Sequence, residues 1–272
     1  MTLRNFASII VLFLLSGCSS LLPSPTLLPP TETATPTATP TVTRVWFPPT
    51  QTLTPTPEIT VTPTPELRGG QGEIILQDQF TKDSPWTTGY SSIGNMGFGN
   101  NELTLAVAQA GGSLLTLRSE PVLDNFYLEV TAETSLCKNN DAYGIIIRAN
   151  SDYDYYRFQV NCNGQTRADR VVGGQTLPIK DWDYSGQVWP GAPTTTRLGV
   201  WAAGSELRFF VNDVFEYGVK DPIFTSGQIG FFAKSAGETA LTVSFSDLEV
   251  REVILGAIPR TATPTSVETP QK

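Results

Sequence analysis

The chain has 272 residues, with 18 Lys and Arg against 26 Asp and Glu, no His and a formal net charge of −8. An acidic chain without a basic stripe is a poor partner for nucleic acid, whose phosphates need clustered Lys and Arg. Lack of histidine removes the commonest general base and every Ser-His triad.

At the N-terminus, Arg4 precedes an apolar run from Phe6 to Leu15. One positive charge before a short apolar segment is a secretory signal pattern. The run is shorter than the roughly 20 residues that span a bilayer. Leu15-Ser-Gly-Cys18 follows and resembles the lipobox of bacterial lipoproteins. The resemblance implies that residues 1–17 are a signal peptide and that lipid is attached to Cys18. The membrane then becomes a partner through this anchor, and the protein is expected to be extracytoplasmic and membrane-anchored, at the cell surface or periplasmic face.

Residues 18–71 are dominated by Thr and Pro, as in Leu53-Thr-Pro-Thr-Pro57 and Val61-Thr-Pro-Thr-Pro65. Proline fixes φ and removes a donor, so neither a helix nor a central strand is expected. Such a disordered linker favours polyproline II, about 3.1 Å per residue, and fifty residues would reach at most roughly 150 Å. Val45-Trp46-Phe47 interrupts it and is expected to be solvated. After residue 254 the chain returns to Thr and Pro, so 255–272 reads as a disordered tail.

Between these ends, residues 72–254 read as one all-β domain. Short alternating segments run from Glu73, Glu102 and Ser113 through Phe126–Glu133, Tyr143–Arg148, Tyr155–Cys162 and Gln165–Val172. They continue with Arg197–Ala203, Glu206–Asn212, Val214–Val219, Gln228–Ala233 and Ala240–Val253. Asn163-Gly164 suits the type I′ turn of a two-residue hairpin, and Asn212-Asp213 is a second tight-turn candidate. A dozen or so antiparallel strands must close into a sandwich or barrel to bury their apolar faces. Cys137 and Cys162 share an exported domain, so a disulfide between them is expected. A metal site is the alternative, ill served by two thiols and no His. If the strands around them form a meander, the loop from Cys137 to Ala142 must fold across the middle strand.

The ordered set Ile75-Leu-Gln-Asp-Gln-Phe80, Tyr143-Gly-Ile-Ile-Ile-Arg148, Tyr155-Tyr-Arg-Phe-Gln-Val160, Leu207-Arg-Phe-Phe-Val-Asn212, Gly227-Gln-Ile-Gly-Phe-Phe232 and Val243-Ser-Phe-Ser-Asp-Leu-Glu-Val250 resembles the laminin-G-like or concanavalin-like jelly roll. The resemblance implies a two-sheet antiparallel sandwich with a concave face that often binds carbohydrate or protein. Relatives include lectins, adhesion modules and glycosidases, so the fold alone does not fix the activity.

The family 16 glycoside hydrolase motif is not met. In Glu129-Val-Thr-Ala-Glu133, Thr131 stands where the family has Asp. The two glutamates are about 13 Å apart along a strand at about 3.3 Å per residue, beyond the roughly 5–9.5 Å that paired carboxylates need. No catalytic residues are assigned, and a 3-keto-disaccharide-hydrolase-like activity is the enzymatic alternative. For binding, Glu129, Arg148, Arg157 and Gln159 fall on outward parities of successive strands. They form either a cross-strand ionic ladder or a polar face for sugar hydroxyls. Trp182, Tyr184 and Trp189 lie in a Gly/Pro-containing segment that reads as a loop. They either stack on a glycan or surface-protein partner or cap the sandwich edge. A structural or sensory ectodomain with a protein partner is the third reading. No cofactor is expected, although Asn139, Asn140 and Asp141 can supply oxygens to Ca²⁺ or simply make a turn.

Overall fold

The computed structural model describes residues 66–237 and 240–256. The signal segment, Cys18, the linker up to residue 65 with Trp46, and the tail after residue 256 lie outside the described residues.

The described residues form fifteen strands: β1 (Gln71–Asp78), β2 (Gly89–Tyr90), β3 (Gly94–Gly99), β4 (Glu102–Val107), β5 (Ser113–Leu123), β6 (Phe126–Leu136), β7 (Ala142–Ser151), β8 (Asp154–Asn161), β9 (Gln165–Val172), β10 (Gln175–Tyr184), β11 (Thr194–Ala203), β12 (Glu206–Val211), β13 (Val214–Lys220), β14 (Gly227–Lys234) and β15 (Leu241–Val253). Nine belong to one sheet, in the order β13-β12-β11-β6-β15-β4-β3-β2, with β1 also paired to β15. The other six run β10-β9-β8-β7-β14-β5. Every pairing is antiparallel. This is the two-sheet jelly-roll sandwich that the resemblance implied, and one of the two closed forms, sandwich or barrel, that the alternation allowed.

Alternate residues from both sheets meet in one core. Phe126, Leu128, Val130 and Ala132 of β6 enter it from the nine-stranded sheet; Tyr156, Phe158 and Val160 of β8 enter from the other. Two aromatic stacks cross between the sheets, Phe158 on Phe209 at 4.7 Å and Phe231 on Phe245 at 4.2 Å. Large rings bury much apolar area per residue, and offset stacking adds to it.

Asp78 ties the sheets at one edge. Its carboxylate, buried at the end of β1, accepts from the Phe80 N–H (2.8 Å), Ser84 Oγ (2.7 Å), Trp86 Nε1 (2.9 Å) and Arg118 Nε of β5 (3.0 Å). Burial favours the protonated form, but these donors outweigh it and hold the Asp78 carboxyl below the usual aspartate range.

Three sequence expectations are corrected. First, the chain around the cysteines is not a meander: β6 lies in the nine-stranded sheet, β7 and β8 in the other. Cys137 and Cys162 form the expected disulfide, with Cα atoms 5.7 Å apart, and it joins one sheet to the other at the crossover. Second, Asn163-Gly164 is not a two-residue type I′ hairpin. The Gly164 N–H bonds the Asn161 carbonyl at 3.1 Å, Gly164 has φ +84° and Val160 pairs with Thr166. A type I turn followed by a left-handed residue is the three-residue hairpin loop. The two-residue I′ geometry appears instead at Asn212-Asp213, where both φ values are positive and Val211 pairs with Val214. Third, Trp182 and Tyr184 are not in a loop but end strand β10. Pro178 masks that strand in the sequence, and it is tolerated because β10 is an edge strand with a bulge just after it.

The chain ahead of β1 packs on the outer face of the nine-stranded sheet. Leu67 lies against Tyr127, Trp201, Phe210 and Val253. Trp201 Nε1 donates to the Gly69 carbonyl (3.0 Å), Arg208 Nη1 to the Leu67 carbonyl (2.6 Å), and Arg68 pairs with Asp213 at 3.2 Å.

Candidate functional site

A cleft of about 380 Å³ opens on the outer face of the six-stranded sheet. Its floor comes from β8 and β9, whose register sets Arg157 opposite Asp169 and Gln159 opposite Arg167. Residues directly opposite in an antiparallel pair share a face, so all four project outward, away from the core residues Phe158 and Ala168. Trp182 of β10 and Lys234 of β14 stand at its sides, with Asn140 at one end.

Asp169, fully buried, organises the floor. One oxygen accepts from Arg157 Nη2 (2.7 Å) and Gln159 Nε2 (2.5 Å), the other from Arg167 Nε (2.6 Å). Charge-assisted bonds of this kind are about twice as strong as neutral ones. The Arg157 guanidinium lies 4.8 Å from the centroid of the Phe232 ring, and Arg167 lies 5.8 Å from that of Trp182. These cation–π contacts fix the planes of both forks.

Of the residues singled out in the sequence, the cleft brings together Arg157, Gln159 and Trp182. The other four sit elsewhere. Glu129 is on β6 in the opposite sheet and pairs with Arg197, which is the ladder arrangement. Arg148 does not face outward: left-handed backbone at φ +51° turns its side chain inside, where it is fully buried. Tyr184 and Trp189 line a separate apolar groove of about 330 Å³ with Val188, Pro190 and Gly164. They are 76% and 75% exposed, so neither caps the sandwich edge. The groove's wall is tied down by the Gly191 N–H to the Cys162 carbonyl (2.9 Å) and by Ser185 Oγ to Glu216 Oε1 (2.7 Å). Burial, relieved in part by Ser185 and reinforced by Asp183, raises the Glu216 carboxyl above its usual range.

Arg167, Asp169 and Lys234 were not picked out by sequence reasoning. Asn140 was, as a candidate oxygen donor. In the structure its Oδ1 accepts from Asn163 Nδ2 (2.8 Å), and Asp141, buried, accepts from the Lys138 and Ala236 N–H groups (3.0 and 2.9 Å). Asn139 takes the left-handed turn position, φ +54°.

No family model and no curated protein matches the chain. Solved structures do match. A protein of unknown function with a galectin-like fold from Bacillus subtilis aligns over 68% of this chain and 98% of its own, at 12% identity and TM-score 0.52. A structure described with endo-acting O-glycanases of prominent human gut microbiota members, which initiate mucin breakdown, aligns over 67% of this chain and 100% of its own, at 11% identity and TM-score 0.51. The carbohydrate-binding module CBM66 from Bacillus subtilis covers 62% and 96%, at 16% identity and TM-score 0.47. The described residues therefore form a galectin-like, concanavalin-like jelly roll.

Proposed function

We propose that this protein is a lipid-anchored, extracytoplasmic glycan-binding protein, and that the cleft over β8, β9 and β10 holds the sugar without transforming it. The observation that carries this reading is the cleft itself: an aromatic wall, Trp182, beside a polar floor locked by Asp169. Sugar recognition needs a ring to stack on and fixed polar groups around it. A neighbour of the same fold, described with endo-acting O-glycanases that initiate mucin breakdown, supports a glycan as the ligand class. The non-catalytic part rests on Asp169. It is the one carboxylate among the cleft-lining residues, it is buried, and three of its roughly four acceptor positions are taken by neighbouring side chains, two of them cationic, which holds it as a structural anion in place of a proton donor or nucleophile.

A glycan array probed with the mature chain should show binding that falls about tenfold or more with Trp182→Ala, the loss of one stacking contact of about 1.4 kcal/mol. Glu129→Gln, on the other sheet, should leave it unchanged. An array with no bound glycan, or one indifferent to Trp182→Ala, refutes the cleft as a sugar site. Loss of binding with Trp189→Ala alone would move the site to the Tyr184–Trp189 groove. That groove's exposed rings favour the second reading, docking of a surface protein.

The anchor is carried by Leu15-Ser-Gly-Cys18 at the end of the apolar run. Cys18→Ser should abolish processing or release the chain from membranes, read by gel mobility and fractionation. Unchanged size and unchanged membrane association would count against lipidation.

A further inference from the structure

We infer that the cleft selects sugars carrying an oxyanion, a carboxylate or a sulfate ester. The inference rests on the glycan reading of the same cleft and concerns what kind of glycan enters it. The charge balance of the lining points there. Arg157, Arg167 and Lys234 stand against one carboxylate, Asp169, in a chain whose net charge is −8. Two guanidinium groups share that carboxylate, so one positive charge is left over, and Lys234 adds a second. Lys234 is exposed and has no ion pair among the described residues. Asp181, 85% exposed, lies 3.9 Å from Arg167 Nη1. At that exposure it is screened by water and salt and neutralises little. A positive recess on an acidic surface concentrates anions.

Hydrogen-bonding capacity agrees with charge. Because Asp169 is largely spent internally, the lining side chains leave few acceptors: the Gln159 amide oxygen, the Thr176 hydroxyl and the Asn140 Oδ1, which already accepts from Asn163. Donors remain in excess. Arg157 uses Nη2 and Arg167 uses Nε on Asp169, which leaves Nη1 of Arg157 and both terminal nitrogens of Arg167 without a hydrogen-bond acceptor among the described residues, beside the Lys234 ammonium. A neutral sugar hydroxyl donates as well as accepts, and would find its protons poorly served. A carboxylate or sulfate only accepts, and its planar or trigonal oxygens fit the guanidinium fork. The forks are already oriented by Asp169, Phe232 and Trp182, so little ordering remains to be done on binding.

The test is calorimetric titration of the mature full-length chain in detergent, at low and high salt. The probes are tetragalacturonate, its neutral methyl ester, a κ-carrageenan tetrasaccharide and its desulfated form. The inference expects at least one acidic probe to bind about tenfold or more tighter than its neutral partner, with the gap closing at 0.5 M salt. Tighter tetragalacturonate assigns a carboxylate, and tighter carrageenan a sulfate. Lys234→Gln, an exposed change that should leave the melting temperature unaltered, should cut the preference for the acidic partner several-fold; Arg167→Gln should cut it further. Equal affinity for acidic and neutral partners overturns the inference and leaves the glycan reading standing. Silence from all four probes, with neutral sugars binding on the array, also overturns it, whereas silence everywhere removes the glycan reading as well. Equally tight binding of a DNA oligonucleotide would reduce the cleft to a general polyanion site and overturn the sugar selectivity.

Discussion

Replacing Arg148 with methionine is expected to destabilise the domain by about 3 kcal/mol or more, from about 1 kcal/mol or more for each buried carbonyl left without its donor. Its guanidinium is fully buried and donates to three backbone carbonyls: Gly204 (2.7 Å), Phe224 (3.0 Å) and Asp124 (2.8 Å). These belong to the β11–β12 turn, the β13–β14 connection and the β5–β6 turn, so one side chain fastens three loops at one end of the sandwich. Burial pulls its pKa below the ordinary arginine value, yet an arginine stays protonated in proteins. Methionine fills a similar volume but leaves the three carbonyls without their donor, and each such loss costs about 1 kcal/mol or more. Urea unfolding should show a lower midpoint at unchanged slope. A variant as stable as the parent but impaired in glycan binding would return Arg148 to the ligand-contacting role that its sequence position suggested.

Removing the disulfide ranks next. Cys137 and Cys162 close a loop with a sequence separation of 25. In the chain-entropy account, such a loop stabilises by about 3.5 kcal/mol. In a domain of this size that is worth roughly 7–14 °C in Tm. The double variant Cys137→Ala/Cys162→Ala should melt lower by that margin, and the parent should match it after reduction. The same bridge borders the loop that carries Asn140 to the cleft, so the glycan binding proposed above should weaken with it. Coincident melting curves for oxidised, reduced and double-alanine forms would show that the bridge contributes nothing.

The sequence carried the architecture well and the site only in part, and the reason is register. Strands such as Phe126–Ala132 and Tyr156–Val160 announce their buried faces because one side is uniformly apolar. β3, Gly94–Gly99, is half glycine, so only Met96 and Phe98 mark its core side; Gly94 is needed because a Cβ there would sit 2.1 Å from the Ala106 carbonyl oxygen. The cleft depended on a finer detail. A two-residue hairpin at Asn163-Gly164 would pair Cys162 with Gln165 and turn Arg167 and Asp169 toward the core. The three-residue loop slips the register by one and turns both outward beside Arg157 and Gln159, since a single-residue slip exchanges the two faces of a strand. Asn-Gly gives no local sign of which turn it will take; the strand it precedes does, because Thr166 and Ala168 are the smaller, less charged residues of Gln165–Val172. Arg148 failed for a related reason: strand parity places a side chain only where the backbone stays extended, and at φ +51° it does not.

Where the chain enters the domain has a mechanical consequence. Residues 67–69 are fastened to the outer face of the nine-stranded sheet, while the cleft opens on the outer face of the other sheet. Tension between a captive in the cleft and whatever holds the N-terminal segment therefore runs through the full thickness of the sandwich. Before it reaches the β1–β15 ladder it must break the Arg68–Asp213 pair, the Trp201 bond to Gly69 and the Arg208 bond to Leu67. If the cleft holds a ligand and the N-terminal segment is anchored, these three small fastenings are expected to yield first under load, ahead of the β1–β15 ladder.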